Sequence, residues 1–562
     1  MTNTSSLTRA AALKQLTAAG QNYELGEKVI NDVPCRIFVN APRSLRELFA
    51  DNVSDETFIV YQDERLTFAE TYIQASRLAT CLVNTYGVGK GDRVAISMRN
   101  YPEWIIAFTA VTSIGAIAVA MNAWWEAEEI EMGLNDCGAK VMFADPERLA
   151  RLQQCSDKLE VQVIGVRSQL DHVPYNGTTY EALMIEYEQI HTMPEVDVLP
   201  EDPATIFYTS GSTGFPKGAV ASHRNILSAL LSWELDGQAN LLMLGLEPPT
   251  PVHQPATLLA VPLFHATGSH AVYLSSYRSQ RKLVSMYKWD ATEAAALIEA
   301  EKISSFVAPA AMTGDLVQAA RDSNRDLSTL ITVGGGGAPR APEQVKDIDD
   351  AFTTAMPNTG WGMTETNAIG SGISGQDYLA RPASSGRASA VVDLKIVDES
   401  GTSLPAGERG ELLIRGVSVI KGYWQRPEAN AETFVDGWLR TGDVAYLDDE
   451  GYLFIVDRIK DLIIRGGENI GCGEVEAALL EHPEILEASV YAIPDDRLGE
   501  EVGATVYSKS QLESVDVNAF LAERLAKFKI PKFLSIVHEP LPRIASGKIY
   551  KRKLREDTIA NM

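Results

Sequence analysis

The chain lacks the cysteine patterns of a disulfide-stapled or zinc-binding protein. Its 562 residues include only five cysteines, and none of them falls in a CxxC or Cys/His spacing. They are Cys35, Cys81, Cys137, Cys155 and Cys472. Small secreted folds and structural zinc sites depend on such spacings, so we predict reduced thiols and a cytoplasmic protein.

Positive charge is also scarce. Fifty lysines and arginines are outnumbered by 75 acidic residues, which gives a formal net charge of −25 at pH 7. A surface of that charge repels nucleic acid and anionic lipid, so neither is an expected partner. A locally basic site for an anionic substrate remains open.

We also predict no segment that targets or anchors the chain. Residues 1–6 contain no basic stretch followed by an apolar core, and residues 559–562 form neither a Ser-Lys-Leu signal nor a prenylation box. The apolar run from Trp104 to Met121 approaches the length of a membrane span, but it carries three hydroxyl residues and a central glycine. We predict a buried helix that leads into a buried strand, and no transmembrane segment.

What the chain does contain is an alternation of apolar strand-like runs with helical patterns. After an irregular lead-in at 1–45, a helix is expected at about 68–86 and a buried strand at 93–98. Such alternation predicts an α/β fold with parallel sheets covered on both faces. Between 381 and 457 the strands become short and the Gly and Asp turns frequent, which predicts a small barrel or sandwich. Residues 458–562 have their own apolar runs and are predicted to form a small domain of mixed α and β structure.

A segment rich in glycine and hydroxyl residues follows a β-prone run at 204–207. It is Tyr208-Thr209-Ser210-Gly211-Ser212-Thr213-Gly214-Phe215-Pro216-Lys217-Gly218. Glycines let the backbone approach a ligand closely, successive N–H groups and hydroxyls can surround anionic oxygens, and Lys217 adds positive charge. The segment is a candidate phosphate loop, although a Gly/Ser surface turn is the alternative for a shorter match. Because Pro216 precedes the lysine and Gly218 follows it, we expect a mobile hairpin-like loop rather than a Walker-type cradle.

The complete string resembles the signature loop of the adenylate-forming superfamily, which includes acyl-CoA synthetases, luciferases and peptide-synthetase adenylation domains. Other segments resemble the motifs of that superfamily in the same order between about residues 58 and 550. The resemblance implies a large N-terminal domain, 1–457, of two αβαβα sheet subdomains plus a small β-barrel at 381–457. A small mobile α+β domain, 458–562, would follow. Within the superfamily, the sequence is most similar to acyl-CoA synthetases of the fatty-acid type.

The resemblance also implies a nucleotide site. Residues 358–365 combine an aromatic ring, glycines and a carboxylate, which suits purine stacking beside a Mg²⁺ on phosphate oxygens, although packing is the alternative. By resemblance, Trp361 flanks the adenine, Thr364 contacts the α-phosphate and Glu365 holds Mg²⁺. The string at 438–443 predicts a tight turn that ends in the Asp443 carboxylate, for which a turn-capping aspartate is the alternative. By resemblance, Asp443 binds the ribose, and Arg458 is a second ribose or phosphate contact. The implied ATP and AMP set is Thr209, Ser210, Gly211, Ser212, Thr213, Gly214, Lys217, Gly336, Gly337, Ala338, Pro339, Asn358, Gly360, Trp361, Gly362, Met363, Thr364, Asp443, Arg458 and Lys548.

Two further residues are implied to contact the acid. Lys548, in Pro542-Arg543-Ile544-Ala545-Ser546-Gly547-Lys548-Ile549, would bridge the substrate carboxylate and the α-phosphate, and His265 would stand beside that carboxylate. With Thr364 and Glu365 they form the implied catalytic set. A solvated lysine and a satisfied core histidine are the alternatives. The implied acyl pocket is His265, Gly268, Gly336, Gly362 and Met363, and the glycines suggest room for a sizeable apolar acid.

The start of the C-terminal domain resembles a hinge followed by a coenzyme A site. Lys460 matches the hinge position, and Arg465, Gly466, Gly467 and Glu468 match the loop that lines the pantetheine tunnel. Just after it, Gly471-Cys472-Gly473 departs from the aromatic or serine and the proline that are usual in the family. The two glycines predict a looser turn, and Cys472 is either reactive or a packing residue.

The resemblance therefore implies ATP-dependent activation of a carboxylic acid to an acyl-adenylate, followed by transfer to CoA. ATP, Mg²⁺ and CoA are the expected cofactors, the acid is a fatty or other apolar acid, and a homodimer is left open. A luciferase-like oxygenase and a carrier-protein-loading enzyme would use the same site. A non-catalytic nucleotide-binding protein is the alternative of a different class.

Overall fold

The structure is a computed structural model. It describes residues 7–155, 159–175, 177–209, 216–247, 250–337, 340–466, 468–544 and 547–562.

The first sheet is built from the apolar runs of the N-terminal third. Within the described residues it has eight strands, and its central pairs are parallel, as the strand and helix alternation predicts. The strands, in spatial order, are Gly422–Tyr423, Lys217–Ser222, Pro203–Thr209, Ile117–Ala120, Arg93–Ser97, Val141–Ala144, Gln162–Gly165 and Thr178–Thr179.

The apolar run at 104–121 forms the predicted buried pair. Every residue of the helix Pro102–Ser113 is buried, and the buried strand Ile117–Ala120 follows after a turn at Gly115. Among the described residues, none of the helices combines the length and the apolar character that crossing a membrane requires. The prediction of a buried helix that leads into a buried strand is confirmed.

The second sheet carries several of the predicted site residues. Its six central strands are parallel, and both ends are antiparallel. The strands, in order, are Val392–Val397, Gly410–Gly416, Trp438–Leu447, Tyr452–Arg458, Gly386–Ala388, Ser371–Ser374, Met356–Trp361, Thr332–Gly336, Ser305–Val307, Ala256–Leu259, Lys282–Ser285, Thr57–Tyr61 and Glu64–Thr67, with Phe434–Val435 beside Trp438–Leu447. The strands of the predicted barrel are thus hydrogen-bonded into the same sheet.

A third sheet forms after the single turn Ile459–Asp461 and has its own apolar core. Its strands are Glu468–Ile470, Ile463–Arg465, Gly499–Tyr507, Glu487–Asp495 and Phe533–Val537, and its helices are Cys472–Leu480, Ser514–Ala522 and Lys551–Ala560. The change of sheet lies close to the predicted boundary at 457 and 458. Two independent domains with that boundary remain a prediction.

Helices cover the two larger sheets. They are Leu45–Asp51, Phe68–Asn84, Pro102–Ser113, Ala127–Cys137, Pro146–Leu152, Tyr180–Glu186, His223–Leu244, Thr267–Leu274 with Ser275–Arg278, Ala291–Glu301, Ala310–Asp322, Pro342–Ala351, Gly375–Ala380 and Pro427–Thr433. Single helical turns occur at Leu170–His172, Thr364–Thr366 and Lys527–Lys529. The helix Thr267–Leu274 has the wide π geometry.

The lead-in at 1–45 is more regular than predicted. A helix, Arg9–Leu16, precedes a hairpin of Leu25–Ile30 and Val33–Phe38. The hairpin turns at Asn31 and Asp32, which both have positive φ, as a type I′ turn requires. Its apolar residues pack on the helix His223–Leu244 and on strands of the second sheet, so tertiary contacts stabilise what the short segment alone does not.

Candidate functional site

A cleft of about 3910 Å³ opens at the carboxyl ends of the parallel strands in the second sheet. Val307, Gly336 and Gly360 line it from those strands, and Arg458 lines it from the end of the strand Tyr452–Arg458 in the second sheet. Lys548 lines it from the segment that follows the last strand of the third sheet. Ligands of open α/β sheets bind at this edge. The cleft is therefore the place to test the predicted site residues.

Lys548 reaches the cleft from a short hairpin. Arg543 pairs with Ile549, and the Ile544 N–H donates to the Lys548 carbonyl at 2.8 Å. Lys548 lies against Gly337, where a Cβ would stand 3.8 Å from its Cε. Its side chain keeps exposed surface because it borders the cleft, yet burial lowers the pKa of its ammonium group, which the nearby Arg458 cation lowers further.

His265 follows the strand Ala256–Leu259 and faces the same cleft. Burial lowers the pKa of His265 to about 4, and the Lys548 cation contributes to that shift. The imidazole is therefore neutral at pH 7. Its Nε2 is buried without a hydrogen-bond partner among the described residues. A buried polar atom of this kind beside a cation suits an anionic ligand better than a closed protein core.

Asp443 joins two of the predicted residues. Its Oδ2 accepts a hydrogen bond of 2.8 Å from the Trp361 indole N–H, and its Oδ1 pairs with Arg458 Nε at 2.6 Å. Asp443 is buried, whereas the Arg458 side chain is 41% exposed. Burial raises the pKa of Asp443, and the cations of Arg458 and Lys548 oppose that rise.

The predicted turn before Asp443 is a bulge inside the strand Trp438–Leu447. Gly442 has φ of 70°, and the Thr441 hydroxyl donates to the Leu412 carbonyl at 2.7 Å. The register with the neighbouring strand shifts at this point. The expectation of a tight turn is wrong because the segment stays in the sheet, where a bulge aims one side chain into the cleft.

Glu365 lies in the single turn Thr364–Thr366 and is buried in the cleft wall. Its Oε1 accepts a 2.7 Å hydrogen bond from the Tyr423 hydroxyl, and burial together with this carboxylate raises the pKa of Tyr423. Lys217 Nζ lies 4.3 Å from the centre of the Tyr423 ring.

The described part of the chain holds no cluster of three or more His, Cys, Asp or Glu side chains that could cage a metal ion. One carboxylate in a cleft still fits Mg²⁺, which keeps several waters and takes phosphate oxygens from its substrate. Glu365 is therefore suited to a Mg²⁺ that arrives with a nucleotide, and not to a permanent metal centre.

The phosphate-loop segment has the predicted hairpin geometry at its base. Thr209 ends the strand Pro203–Thr209 and pairs antiparallel with Lys217, the first residue of the next strand. Ser210, Gly211, Ser212, Thr213 and Gly214 lie outside the described residues. Their contacts, and the mobility of the loop, remain predictions.

The glycine run at 334–337 has two separate explanations. A Cβ would lie 2.1 Å from the Asn358 oxygen at Gly334 and 2.5 Å from the Gly360 oxygen at Gly336, so close approach of neighbouring strands requires these glycines. Gly337 differs, because only Lys548 lies near its missing side chain. Ala338 and Pro339 lie outside the described residues.

Four of the five residues of the predicted acyl pocket lie at the cleft. His265, Gly336, Gly362 and Met363 line the cleft. Gly268 does not, because it is buried and a Cβ there would stand 2.1 Å from the Pro262 carbonyl oxygen. Its lack of a side chain serves backbone packing, so the interpretation of Gly268 as pocket space is wrong. Asn358, Gly360, Trp361 and Thr364 line the cleft as well.

Of the predicted coenzyme A loop, the described residues Arg465, Gly466 and Glu468 do not line the cleft that holds Lys548. Arg465 makes two hydrogen bonds to the Glu501 carboxylate, at 2.7 and 3.0 Å. Gly466 has φ of 61°, and its N–H donates to the Leu498 carbonyl. Glu468 pairs with Arg465 across a short hairpin, and Gly467 lies outside the described residues. Their role in CoA binding remains a prediction.

The region around the predicted hinge differs from expectation in one respect. Lys460 belongs to the turn Ile459–Asp461, directly after the strand Tyr452–Arg458. The looser turn predicted at 471–473 is instead the start of the helix Cys472–Leu480. The Cys472 N–H donates to the Asp457 carboxylate, which caps that helix and explains why a helix forms there.

Cys472 is a packing residue. It is buried in the core of the third sheet, and burial raises the pKa of its thiol. The other four cysteines are also free and buried. A thiol with a raised pKa carries little thiolate, so the alternative of a reactive Cys472 is wrong.

Two contacts of the site escaped the sequence analysis. Tyr423 meets Glu365 across 58 positions of the chain, and Asp457 meets Cys472 across 15. Both are long-range pairs for which no local spacing provides a signal. Asp457 could have been noticed only as the neighbour of Arg458.

Comparison with known proteins identifies the family. The AMP-binding enzyme model matches residues 47–424, and the model for the AMP-binding enzyme C-terminal domain matches residues 474–548. The chain belongs to the AMP-binding enzyme family. This assignment confirms the predicted superfamily.

The relatives have the same class of activity but different acids. The chain is 32% identical over 501 residues to a long-chain-fatty-acid–CoA ligase of Mycobacterium tuberculosis, covering 89% of this chain and 94% of that protein. It is 31% identical over 508 residues to 4-coumarate–CoA ligase 1 of Solanum tuberosum, covering 88% and 89%. The predicted enzyme class, an AMP-forming acid–thiol ligase, is confirmed.

Solved structures share the architecture. An anthranilate CoA ligase in complex with anthranoyl-AMP superimposes with a TM-score of 0.83 at 24% identity, covering 92% of this chain and 98% of that one. The o-succinylbenzoate CoA synthetase from Bacillus subtilis, in complex with ATP and magnesium, has a TM-score of 0.75 at 27% identity, covering 91% and 99%. The predicted α/β fold class, with a large N-terminal and a smaller C-terminal part, is confirmed.

Proposed function

We propose that this protein activates a fatty or other apolar carboxylic acid with ATP and transfers the acyl group to CoA. The observation that carries the proposal is the position of Lys548. It lies against Gly337 in the cleft and interacts electrostatically with Asp443, Arg458 and His265. A cation is thus poised where a carboxylate and a phosphate would meet.

In the first half-reaction, a carboxylate oxygen of the acid attacks the α-phosphorus of ATP, and the bond to the bridging oxygen breaks. Acyl-adenylate forms and pyrophosphate leaves. Phosphoryl chemistry of this kind depends on positioning and on neutralising charge. Lys548 and Lys217 supply positive charge, and Mg²⁺ held at Glu365 would neutralise phosphate oxygens. Neutral His265 can donate a hydrogen bond from a ring N–H to the carboxylate.

In the second half-reaction, the CoA sulfur attacks the acyl carbonyl carbon, and the bond to the AMP oxygen breaks. AMP leaves with the negative charge, and the thiol gives up its proton. The Asp443 and Arg458 pair is suited to hold the ribose during both steps, because a buried carboxylate can accept from both hydroxyls. CoA would enter along Arg465, Gly466 and Glu468.

The two steps require different arrangements of the C-terminal part. Lys548 lines the cleft here, whereas Arg465, Gly466 and Glu468 do not. Both groups follow Lys460 in the chain. We infer that residues 458–562 rotate as a domain about Lys460 against residues 1–457 and exchange the lysine for the CoA loop. The Asp457 cap on Cys472 crosses this boundary and would open during the rotation.

The relatives support this reading. The curated ones are named as CoA ligases, and a solved neighbour binds ATP and magnesium. The buried free cysteines agree with a reducing, cytoplasmic location. A homodimer remains a prediction.

Product identification tests the proposal. Purified protein is incubated with ATP, Mg²⁺ and a panel of fatty and aryl acids, with and without CoA, and the products are identified by mass spectrometry. Acyl-CoA is expected for at least one acid. Acyl-AMP that persists in excess CoA would contradict the transfer and point to a carrier protein, and an oxidised product that requires O₂ would point to the luciferase-like alternative.

A further inference from the structure

The cleft continues beyond His265 between two helices. Thr267, Ala271 and Ser275 line it from one helix, and Leu230, Trp233 and Gly237 line it from the helix His223–Leu244. Spacings of three and four residues place each set on one helix face. From Thr267 to Arg278, the last residue of its helix, the distance is on the order of 15 Å. The cleft therefore has a long arm that leads away from Lys548.

The arm is open where small residues line it. A Cβ built at Gly237 meets nothing within 4 Å, in contrast to the packed position of Gly268. Ala271 and Ser275 face it from the opposite helix. Leu230 and Trp233 provide apolar contact for an alkyl chain.

The far end of the arm is charged. Arg278 Nε pairs with Glu234 at 2.5 Å. Arg281 lines the same end, but it makes no ion pair within the described part of the chain. Arg278 and Arg281 thus share one carboxylate, because Glu234, which acts electrostatically on Arg281, already binds Arg278.

Withdrawing the Arg281 guanidinium group from water costs free energy unless a counter-ion pairs with it. Arg281 is partly shielded from water, and burial lowers the pKa of its guanidinium group. Guanidinium groups that are withdrawn from solvent are normally paired with carboxylate or phosphate, which they bind in a planar, bidentate manner. The missing partner is accordingly an anion that enters through the cleft.

We propose that Arg281 forms a second anion subsite, and that the preferred acids carry another carboxylate at the far end of a long alkyl chain. The first carboxylate would lie at Lys548 and His265, and the second at Arg281. The inference rests on the proposed function and narrows its substrate class to long α,ω-dicarboxylic acids.

Matched acids test this subsite. The full-length enzyme is assayed for pyrophosphate release with dodecanoic and dodecanedioic acid, and with hexadecanoic and hexadecanedioic acid, at saturating ATP and CoA. The readout is the ratio of kcat/KM for the diacid to that for the monoacid. We expect a ratio of about ten or more for at least one pair, because a charged hydrogen bond discriminates by roughly that factor.

Two variants and one control locate the effect. Arg281→Gln removes the charge and should lower the ratio about tenfold to a hundredfold. The control Arg325→Gln changes an exposed arginine that pairs with Glu299, and it should leave the ratio unchanged. Gly237→Leu fills the arm without harming the helix, since leucine is the better helix former, and should exclude acids of both long pairs while hexanoic acid is still accepted.

Each outcome is decisive. A monoacid preference that Arg281→Gln does not alter would overturn the subsite. If no acid of any kind releases pyrophosphate, the proposed function fails instead. Calorimetric binding of dodecanedioate and dodecanoate to wild type and Arg281→Gln then decides the subsite separately, and equal affinities of the diacid for both proteins would overturn it.

Discussion

Replacing Lys548 by alanine separates the two half-reactions. The lysine is positioned by the hairpin from Arg543 to Ile549, and it lies beside Gly337 and the Asp443–Arg458 pair. Removing one preorganised charged donor from an active site costs roughly 10²–10³ in rate, or about 3 to 4 kcal/mol. Because the lysine borders an open cleft, we expect the lower end of that range, about a hundredfold.

That loss should fall on adenylation alone. Acid-dependent exchange of pyrophosphate into ATP measures the first half-reaction, and formation of acyl-CoA from supplied acyl-AMP measures the second. Exchange should drop about a hundredfold, while the second rate should change by no more than about threefold. Lys553→Ala is the control, since Lys553 lies on the next helix and pairs with Asp557 on its exposed surface. Equal loss of both half-reactions, with an unchanged melting temperature, would refute the rotation.

Other perturbations give further expected results. Glu365→Gln keeps a hydrogen-bond acceptor for Tyr423 but removes the charge. Pyrophosphate exchange should therefore fall by at least about tenfold, and the Mg²⁺ concentration required should rise. An unaltered dependence on Mg²⁺ would exclude Glu365 as the magnesium ligand. Lys460→Pro restricts the backbone at the turn, so CoA consumption should slow more than pyrophosphate exchange, and equal slowing would argue against a hinge there. Native Cys472 should resist iodoacetamide until urea unfolds the chain, because burial raises its pKa, and rapid labelling of folded protein would contradict its burial. The His265 imidazole should stay neutral until about pH 4 in an NMR titration. Its pKa should rise in the Lys548→Ala variant because a neighbouring cation is lost, and an unchanged pKa would show that Lys548 does not act on His265.

Local sequence pattern was sufficient to predict the elements whose residues pack against others close by in the chain. The run from 104 to 121 contains its own helix, turn and strand, so apolar character and a glycine were enough to predict them. The hairpin base at Thr209 and Lys217 followed from proline and glycine chemistry in the same way. Parallel sheets followed from alternation of strands and helices.

Local pattern failed where a distant partner decides the conformation. Thr-Gly-Asp at 441–443 has the composition of a turn, but pairing with the strand Gly410–Gly416 keeps it extended. Gly471-Cys472-Gly473 has the composition of a loop, but the Asp457 carboxylate caps a helix there. Gly268 faces the Pro262 carbonyl rather than the acid, and nothing in its own neighbourhood indicates that contact.

In the candidate site, too, local motifs identified some residues and missed those brought together by the tertiary fold. The motifs identified Lys548, Glu365 and Asp443 because each lies in a distinctive string of residues. Arg281 and Gly237 lie in no motif, and only the tertiary fold brings the segment after the helix Ser275–Arg278 and the helix His223–Leu244 to one cleft. The residues proposed to select the acid are therefore harder to predict from sequence than the residues proposed to bind ATP.

The most direct test of the account is the fate of ATP. Purified protein with Mg²⁺, CoA and a panel of long mono- and dicarboxylic acids should convert ATP to AMP and pyrophosphate only when an acid is present. Acid-dependent AMP formation that Lys548→Ala lowers about a hundredfold is the predicted result. No AMP from any acid, or ADP as the nucleotide product, would contradict the central claim.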